Sequence, residues 1–161
     1  MNGLVLYYSY GGNTRRIAEQ IQKVLGCDLA EIATVAPYTG SYDEIVSQGQ
    51  READSGFNPP VHPLAKNPGD YDTIILGTPV WWYTPAPAVK TVLSACDWNG
   101  KTIYPFATNG GWIGHTFEDI EKACVGATVK SGLNIRFEED HLQTRTAEID
   151  RWIAQIREKP Q

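Results

Sequence analysis

The sequence predicts an α/β fold, a doubly wound parallel sheet of five strands in the order 2-1-3-4-5. Two observations predict it. Short apolar runs rich in β-favouring residues alternate with segments of helical periodicity along the whole chain, the rhythm of strand–helix–strand units with a sheet covered on both faces. There are five such runs, and the first ends in a glycine-bearing loop that opens into a helix, as doubly wound sheets do.

Residues 3–8, GLVLYY, read as a buried strand. Ile17, Ala18, Ile21, Val24 and Leu25 share one helical face, predicting a helix over 13–25. A second strand fits 28–34. Residues 35–70 are rich in Pro, Gly and polar residues and form an elaborated crossover, with a modest helix over 42–54. DTIILG, 72–77, is the third strand, followed by a helix over 85–96 that carries Pro in its first turn. KTIYPFAT, 101–108, is the fourth strand. A helix over 115–124 takes Thr116 as N-cap, with Glu118 and Asp119 complementing its dipole. The fifth strand region is 128–137. A last helix over 144–157 aligns Ile149, Trp152, Ile153 and Ile156. No repeat, low-complexity tract or linker interrupts the series, so residues 1–161 are expected to form a single domain.

Bulk composition narrows the function. The 161 residues are 42% hydrophobic and 20% charged with a net charge of −5, which argues against nucleic acid as partner, because phosphate backbones reward a basic face. The acidity serves either solubility or docking onto a basic partner. The start has no basic leader, and no run approaches the ~20 apolar residues of a membrane span. Cys27, Cys96 and Cys124 are widely spaced, as are His62, His115 and His141; neither set has disulfide or metal spacing. Buried thiols of a reducing compartment are expected, and with them a cytoplasmic location.

Ligands of such sheets bind beyond the carboxyl ends of the strands, at the switch point between strands 1 and 3. Three loops therefore decide the chemistry. In SYGGNT, 9–14, Gly11 and Gly12 let backbone amides approach an anion at a helix N-terminus, while Ser9, Asn13 and Thr14 add neutral donors. Arg15 and Arg16 stand in the first helical turn, where cations are disfavoured unless an anion is near. The loop lacks the Lys of a nucleoside-triphosphate loop and the GxGxxG of a dinucleotide loop. By itself it suits one compact phosphate or a plain tight turn. In TPVWWYTP, 78–85, Trp81, Trp82 and Tyr83 form an aromatic triplet between Pro79 and Pro85. At least one Trp packs on a flanking helix; another is free to stack on a planar ring. In TNGGWIG, 108–114, Gly110, Gly111 and Gly114 permit a backbone that wraps a ligand edge, with Trp112 a further stacking residue. A phosphate cradle, an aromatic platform and a glycine-rich edge together describe a flavin mononucleotide (FMN) site.

At this point the sequence resembles the flavodoxin family over nearly the whole chain. SYGGNT is similar to the family's phosphate loop. LGTPVWWYTPAPAV, 76–89, and FATNGGWIGHTFEDI, 106–120, are similar to the segments bordering the isoalloxazine in a short, bacterial-type flavodoxin-like branch. PYTGSYDEIVSQGQREADSGFNPP, 37–60, resembles the crossover of that branch. The chain departs from the branch at Thr78, where Tyr is frequent, and at GGWIG, where a longer Ser-containing run is frequent. The resemblance and the loop reading together give an FMN site of Ser9, Tyr10, Gly11, Gly12, Asn13, Thr14, Thr78, Pro79, Val80, Trp81, Trp82, Tyr83, Thr108, Asn109, Gly110, Gly111 and Trp112.

The function expected is an FMN electron carrier between a reductase and an acceptor protein, with no nucleic-acid or membrane partner. The alternatives are an FMN-dependent NAD(P)H:quinone-type oxidoreductase and, from another class, a flavin-free binding module. No residue stands out as general acid or base. The ring-bordering loops contain no Asp or Glu, the nearest in sequence being Glu118 and Asp119. A reduction potential above that of the strongly acidic, low-potential carriers is therefore expected.

Overall fold

Alternation along each strand sends successive side chains into two separate helical layers. The computed structural model describes residues 2–157. Its long strands are β1 (Gly3–Tyr8), β2 (Asp28–Ile32), β3 (Thr73–Trp81), β4 (Thr102–Asn109) and β5 (Leu133–Glu138). Its helices are α1 (Asn13–Leu25), α2 (Tyr42–Ser55), α3 (Pro87–Ala95), α4 (Thr116–Ala123) and α5 (Thr146–Arg157). The long strands are parallel, in the order β2-β1-β3-β4-β5 that the sequence predicts.

Leu4, Leu6, Ile74, Leu76 and Ile103 project to the side covered by α3 and α4, against Val89, Val92, Leu93 and Ile120. Val5, Ile75, Tyr104 and Phe106 project to the other side, against Ile17 and Ile21 of α1 and Ile149, Trp152, Ile153 and Ile156 of α5. Gly77 makes one contact possible. A Cβ there would stand 2.2 Å from Cζ of Phe106, its register partner on β4, so the ring fills the space of the missing side chain.

Beyond shifts of one or two residues at element ends, three features differ from the sequence reading, each for a local reason. The third strand does not stop at 77. It continues to Trp81 and folds back, pairing Val80 and Trp81 with Pro85 and Thr84, so the expected loop is a tight β-hairpin. The 128–137 strand is split into Thr128–Val129 and β5. Both pieces pair with β4, and the gap falls beside Tyr104 and Pro105, where proline has no N–H for the ladder. Thr116 is the first residue of α4 and not its cap. Its hydroxyl donates to the Ile113 carbonyl at 2.7 Å instead. Helix α2 carries a full capping box, Ser41 Oγ accepting from the Glu44 N–H while the Glu44 carboxylate accepts from the Ser41 N–H. That contact holds the Glu44 carboxyl below its usual range.

Among the described residues no helix is long and apolar enough to cross a membrane, and no His, Cys, Asp and Glu cluster could hold a metal ion. All three cysteines are free.

Candidate functional site

The chain reverses direction of winding between β1 and β3, and the loops beyond both strands meet there. Helix α1 starts at this edge without a side-chain cap: Gly12 is the N-cap, and Gly11 and Gly12 have φ of +84° and +99°. A Cβ at either position would meet nothing within 4 Å, so the glycines serve conformation and leave open space beside the first turn of the helix. Those groups have no intrahelical partner and carry the positive end of the dipole. Ser9 Oγ takes one of them, accepting from the Arg15 N–H at 3.1 Å. Asn13 spends one amide hydrogen on the Glu139 carbonyl at 2.8 Å, tying the loop to the turn after β5. The Thr14 hydroxyl is buried and lies 2.7 Å from that of Thr108.

Both first-turn arginines have protein partners. Arg15 holds the Glu31 carboxylate through two contacts of 2.6–2.7 Å, and Arg16 lies 5.8 Å from the Phe137 ring centre. The anion that the sequence reading asks for beside Arg15 is thus Glu31.

The hairpin divides the aromatic triplet. Trp81 is half-buried, its ring met edgewise by Tyr8, Tyr10 and Tyr38 at centroid distances of 6.0, 5.9 and 4.9 Å. It is the Trp that packs. Trp82 and Tyr83 occupy the two-residue tip at φ +55° and +69°. Tips of this kind normally take Asn-Gly, and a left-handed non-glycine residue costs about 1–2 kcal/mol. The neighbours impose the conformation. Tyr83 O accepts from the His115 N–H at 2.8 Å, the Trp82 indole N–H donates to the Val46 carbonyl at 3.1 Å, and Thr84 Oγ1 donates to Asp119 Oδ2 at 2.6 Å. Gly114 lies against Tyr83 so closely that a Cβ would stand 2.4 Å from its carbonyl oxygen. Thr78 is fully enclosed; its hydroxyl donates to the Pro79 carbonyl and accepts from the Ala86 N–H.

In the third loop, Asn109 builds the backbone. Its Oδ1 accepts from the Gly111 N–H at 2.9 Å and its amide reaches Asn134 Oδ1 at 2.5 Å. Gly110 and Gly111 are exposed, and Trp112 is 73% exposed. A cavity of about 200 Å³ lies between Val80, Trp82, Tyr83 and Trp112. Of the predicted site residues, the fold therefore brings Ser9, Gly11, Gly12 and Asn13 together at the start of α1, with Thr14 buried beneath them against Thr108, and Val80, Trp82, Tyr83 and Trp112 to one slot. Thr78, Trp81 and Asn109 act through the loops they brace.

Two groupings go unmarked in the sequence reading. Asp119, placed there on the helix beyond the loops, reaches back to the hairpin through Thr84 and stands 2.5 Å from His115 Nδ1. Burial lowers the pKa of Lys90, and the Asp119 charge opposes that shift. Behind Trp81, the buried Tyr38 hydroxyl donates to Glu52 Oε1 at 2.5 Å, and Gln48 donates to Oε2 at 2.9 Å; burial first, then Glu52, raises the Tyr38 pKa. The i, i+4 spacing of Gln48 and Glu52 and of His115 and Asp119 was the available signal.

No curated protein matches the chain. Among solved structures, a candidate flavoprotein from Bacteroides eggerthii is 29% identical with a TM-score of 0.81, the match covering 98% of this chain and 99% of that one. A Lactobacillus acidophilus flavoprotein, solved in complex with FMN, is 22% identical with a TM-score of 0.72 over 94% and 97% of the two chains. Flavodoxin 2 from Bacillus cereus is 23% identical with a TM-score of 0.60 over 99% and 100%. The latter two likenesses show the fold alone. A family model described as flavodoxin matches residues 2–156, which takes in every strand, every loop of the site and nearly all of α5, and so the chain belongs to the flavodoxin family.

Proposed function

We propose that this protein binds FMN across the three loops and carries electrons between a reductase and an acceptor protein. The observation that carries the reading is the pairing, on one sheet edge, of a helix N-terminus that has glycine at its cap position and open space beside Gly11 and Gly12 with an exposed aromatic slot. The two fit the two ends of FMN, a compact dianion and a flat apolar ring system. Membership of the flavodoxin family supports the same cofactor.

In this reading Ser9, Gly11, Gly12, Asn13 and Thr14 hold the phosphate, with Tyr10 at the rim. Val80, Trp82, Tyr83, Gly110, Gly111 and Trp112 border the ring, and Thr78, Pro79, Trp81, Thr108 and Asn109 brace them. Bound FMN supplies transfer of one or two electrons. The protein's part is to fix the cofactor and keep one aromatic-flanked edge at the surface, where a partner's redox centre can approach. Three free thiols suit a reducing compartment such as the cytoplasm.

The test is to load the apoprotein with FMN and mix it with NADH, then NADPH, without oxygen, following flavin absorbance. The carrier reading expects a yellow protein that bleaches only when a separate reductase is added. Rapid bleaching by either nucleotide alone would replace the carrier with an oxidoreductase, and a protein that takes up no FMN would overturn the flavin assignment itself.

A further inference from the structure

Asn-Gly is the pair in which an asparagine side chain is attacked most readily by the peptide nitrogen that follows it, because glycine puts no Cβ in the way. The chain holds three such pairs, Asn2–Gly3, Asn99–Gly100 and Asn109–Gly110, and the fold treats them differently. We propose that Asn109 is a modification site: it loses its side-chain amide to the Gly110 nitrogen and becomes a carboxylate in the loop after β4, while the other two pairs are protected.

The nitrogens decide which pair reacts. Gly3 is buried within β1, and the Asn2 amide donates to the Asp70 carbonyl at 3.2 Å. The Gly100 N–H donates to the Gly126 carbonyl at 3.0 Å. Gly110 is exposed, and its N–H bonds no described residue. Of the three nitrogens it is the one that hydroxide reaches without a prior local opening of the fold.

The carbonyl under attack is prepared as well. Asn109 Oδ1 accepts from the Gly111 N–H at 2.9 Å, which folds the carboxamide back over its own following peptide and draws electron density from Cγ. Holding the reacting groups together in this way removes part of the entropic cost of ring closure. One contact resists: the Asn109 amide donates to Asn134 Oδ1 at 2.5 Å, and that bond must break as Nδ2 departs.

The atoms balance without an oxidant or a reductant. Hydroxide takes the Gly110 proton, the nitrogen forms a bond to Asn109 Cγ, and Nδ2 leaves as ammonia with a proton from water. Water then opens the cyclic imide at either carbonyl, giving aspartate or isoaspartate. Both products place a negative charge in a loop, 108–114, that has no Asp or Glu. The consequence for the cofactor rests on the FMN reading: in that site the loop borders the ring, and the added charge opposes binding of a dianion.

The test ages the purified protein in mildly alkaline buffer, digests it under acidic conditions and follows each Asn-Gly peptide by mass spectrometry for conversion of amide to acid. Conversion at Asn109 is expected to run at least about tenfold faster than at Asn2 or Asn99, since at both of those a hydrogen bond or strand must open first. Asn134→Ala, at an exposed position of β5, is expected to speed conversion at Asn109 and leave the other two pairs unchanged. A smaller difference among the three pairs, or an unchanged Asn109 rate in folded Asn134→Ala, would overturn the proposal. If that variant does not fold, the comparison within the parent decides. This readout needs no flavin. Asn109→Asp, which reproduces one product, is expected to bind FMN several-fold more weakly than the parent, and unchanged affinity would overturn the charge argument. A parent that takes up no FMN would overturn the flavin assignment and leave the peptide measurement to decide the modification.

Discussion

The hydroxyls of Thr14 and Thr108 lie 2.7 Å apart, so the first turn of α1 and the end of β4 are joined at the sheet edge by a single buried hydrogen bond. The loop of Gly11 and Gly12, which cradles the phosphate in the proposed site, and the glycine-rich loop after β4 are coupled through it. Thr14→Val removes one partner and leaves the Thr108 hydroxyl buried and unpaired. The expected costs are about 1–3 kcal/mol of folding stability and a similar loss of FMN binding, roughly 5- to 150-fold in affinity. Adding Thr108→Val is expected to restore much of the stability and none of the affinity. Urea unfolding and flavin-fluorescence titration measure both; unchanged FMN affinity in Thr14→Val would place the phosphate elsewhere.

The two tryptophans of the hairpin are expected to separate in function. Trp81→Ala strips a ring packed against three tyrosines and should cost about 2–4 kcal/mol of stability. Trp82→Ala should cost less, about 1 kcal/mol, since its ring is partly exposed and the loss is chiefly the indole hydrogen bond to the Val46 carbonyl, yet weaken FMN binding. Equal and negligible losses of FMN affinity in both variants would remove the aromatic platform.

Gly114 and Gly12 both have positive φ but differ in surroundings. Gly114→Ala drives a Cβ into the Tyr83 backbone and is expected to cost about 2–4 kcal/mol with the hairpin displaced. Gly12→Ala meets no protein atom; it should cost only about 1 kcal/mol of stability but obstruct the anion. Thermal melts with and without FMN distinguish the two, and a Gly114→Ala melt unchanged from the parent would show that the hairpin yields.

Alkaline stability follows from buried acids. Burial pushes the Cys124 thiol up to about 12, and raises the Tyr8 and Tyr38 phenols above their ordinary range. Raised folded-state pKa values contribute stability that is complete below the unfolded values, about 9 for the thiol and about 10 for the phenols, and is lost as pH rises through the folded ones. Stability to urea should therefore fall from about pH 9 upward, each group adding a slope of up to about 1.4 kcal/mol per pH unit. Cys124→Ala should make that fall shallower between pH 9 and 10. A slope identical to the parent's would exclude the thiol as a contributor.

Asp119 is the carboxylate that the fold carries to the hairpin, which borders the ring in the proposed site. A charge at ~8 Å and effective dielectric ~40 opposes reduction by about 1 kcal/mol, or ~45 mV per electron. Asp119→Asn is expected to raise the flavin midpoint by up to that amount. The parent potential should lie above those of the strongly acidic carriers. A potentiometric titration as low as theirs would refute the sparse-carboxylate argument.

Periodicity made the architecture legible: Ile17 and Ile21, or Ile149, Trp152, Ile153 and Ile156, declare a buried face without reference to anything distant. The loops were legible as locations for the same reason, since glycine and aromatic residues stand out after apolar runs. What stayed hidden depends on the third dimension. Nothing local in WWY shows that two bulky residues take left-handed angles, because the bonds that impose them come from Val46 and His115, 36 and 32 residues away. The same holds for the Arg15 partner, which lies on the neighbouring strand, and for Thr78, whose hydroxyl is turned inward by Ala86. Thr116 failed as a cap because the helix begins on it, with His115 at the cap position.

The ring of Phe106 in the space above Gly77 has a consequence for assembly. Gly77 is the only residue of β3 without a side chain, and it faces Phe106 across the pair. Sliding β3 by two residues along β4, the smallest slip that preserves which face is apolar, would set Ile75 or Pro79 under the ring. The two strands at the centre of the sheet therefore fit together as lock and key, and an offset pairing during folding meets a collision where the native alignment meets a contact. With the central pair indexed in this way, the loops that follow β3 and β4 emerge at matched heights.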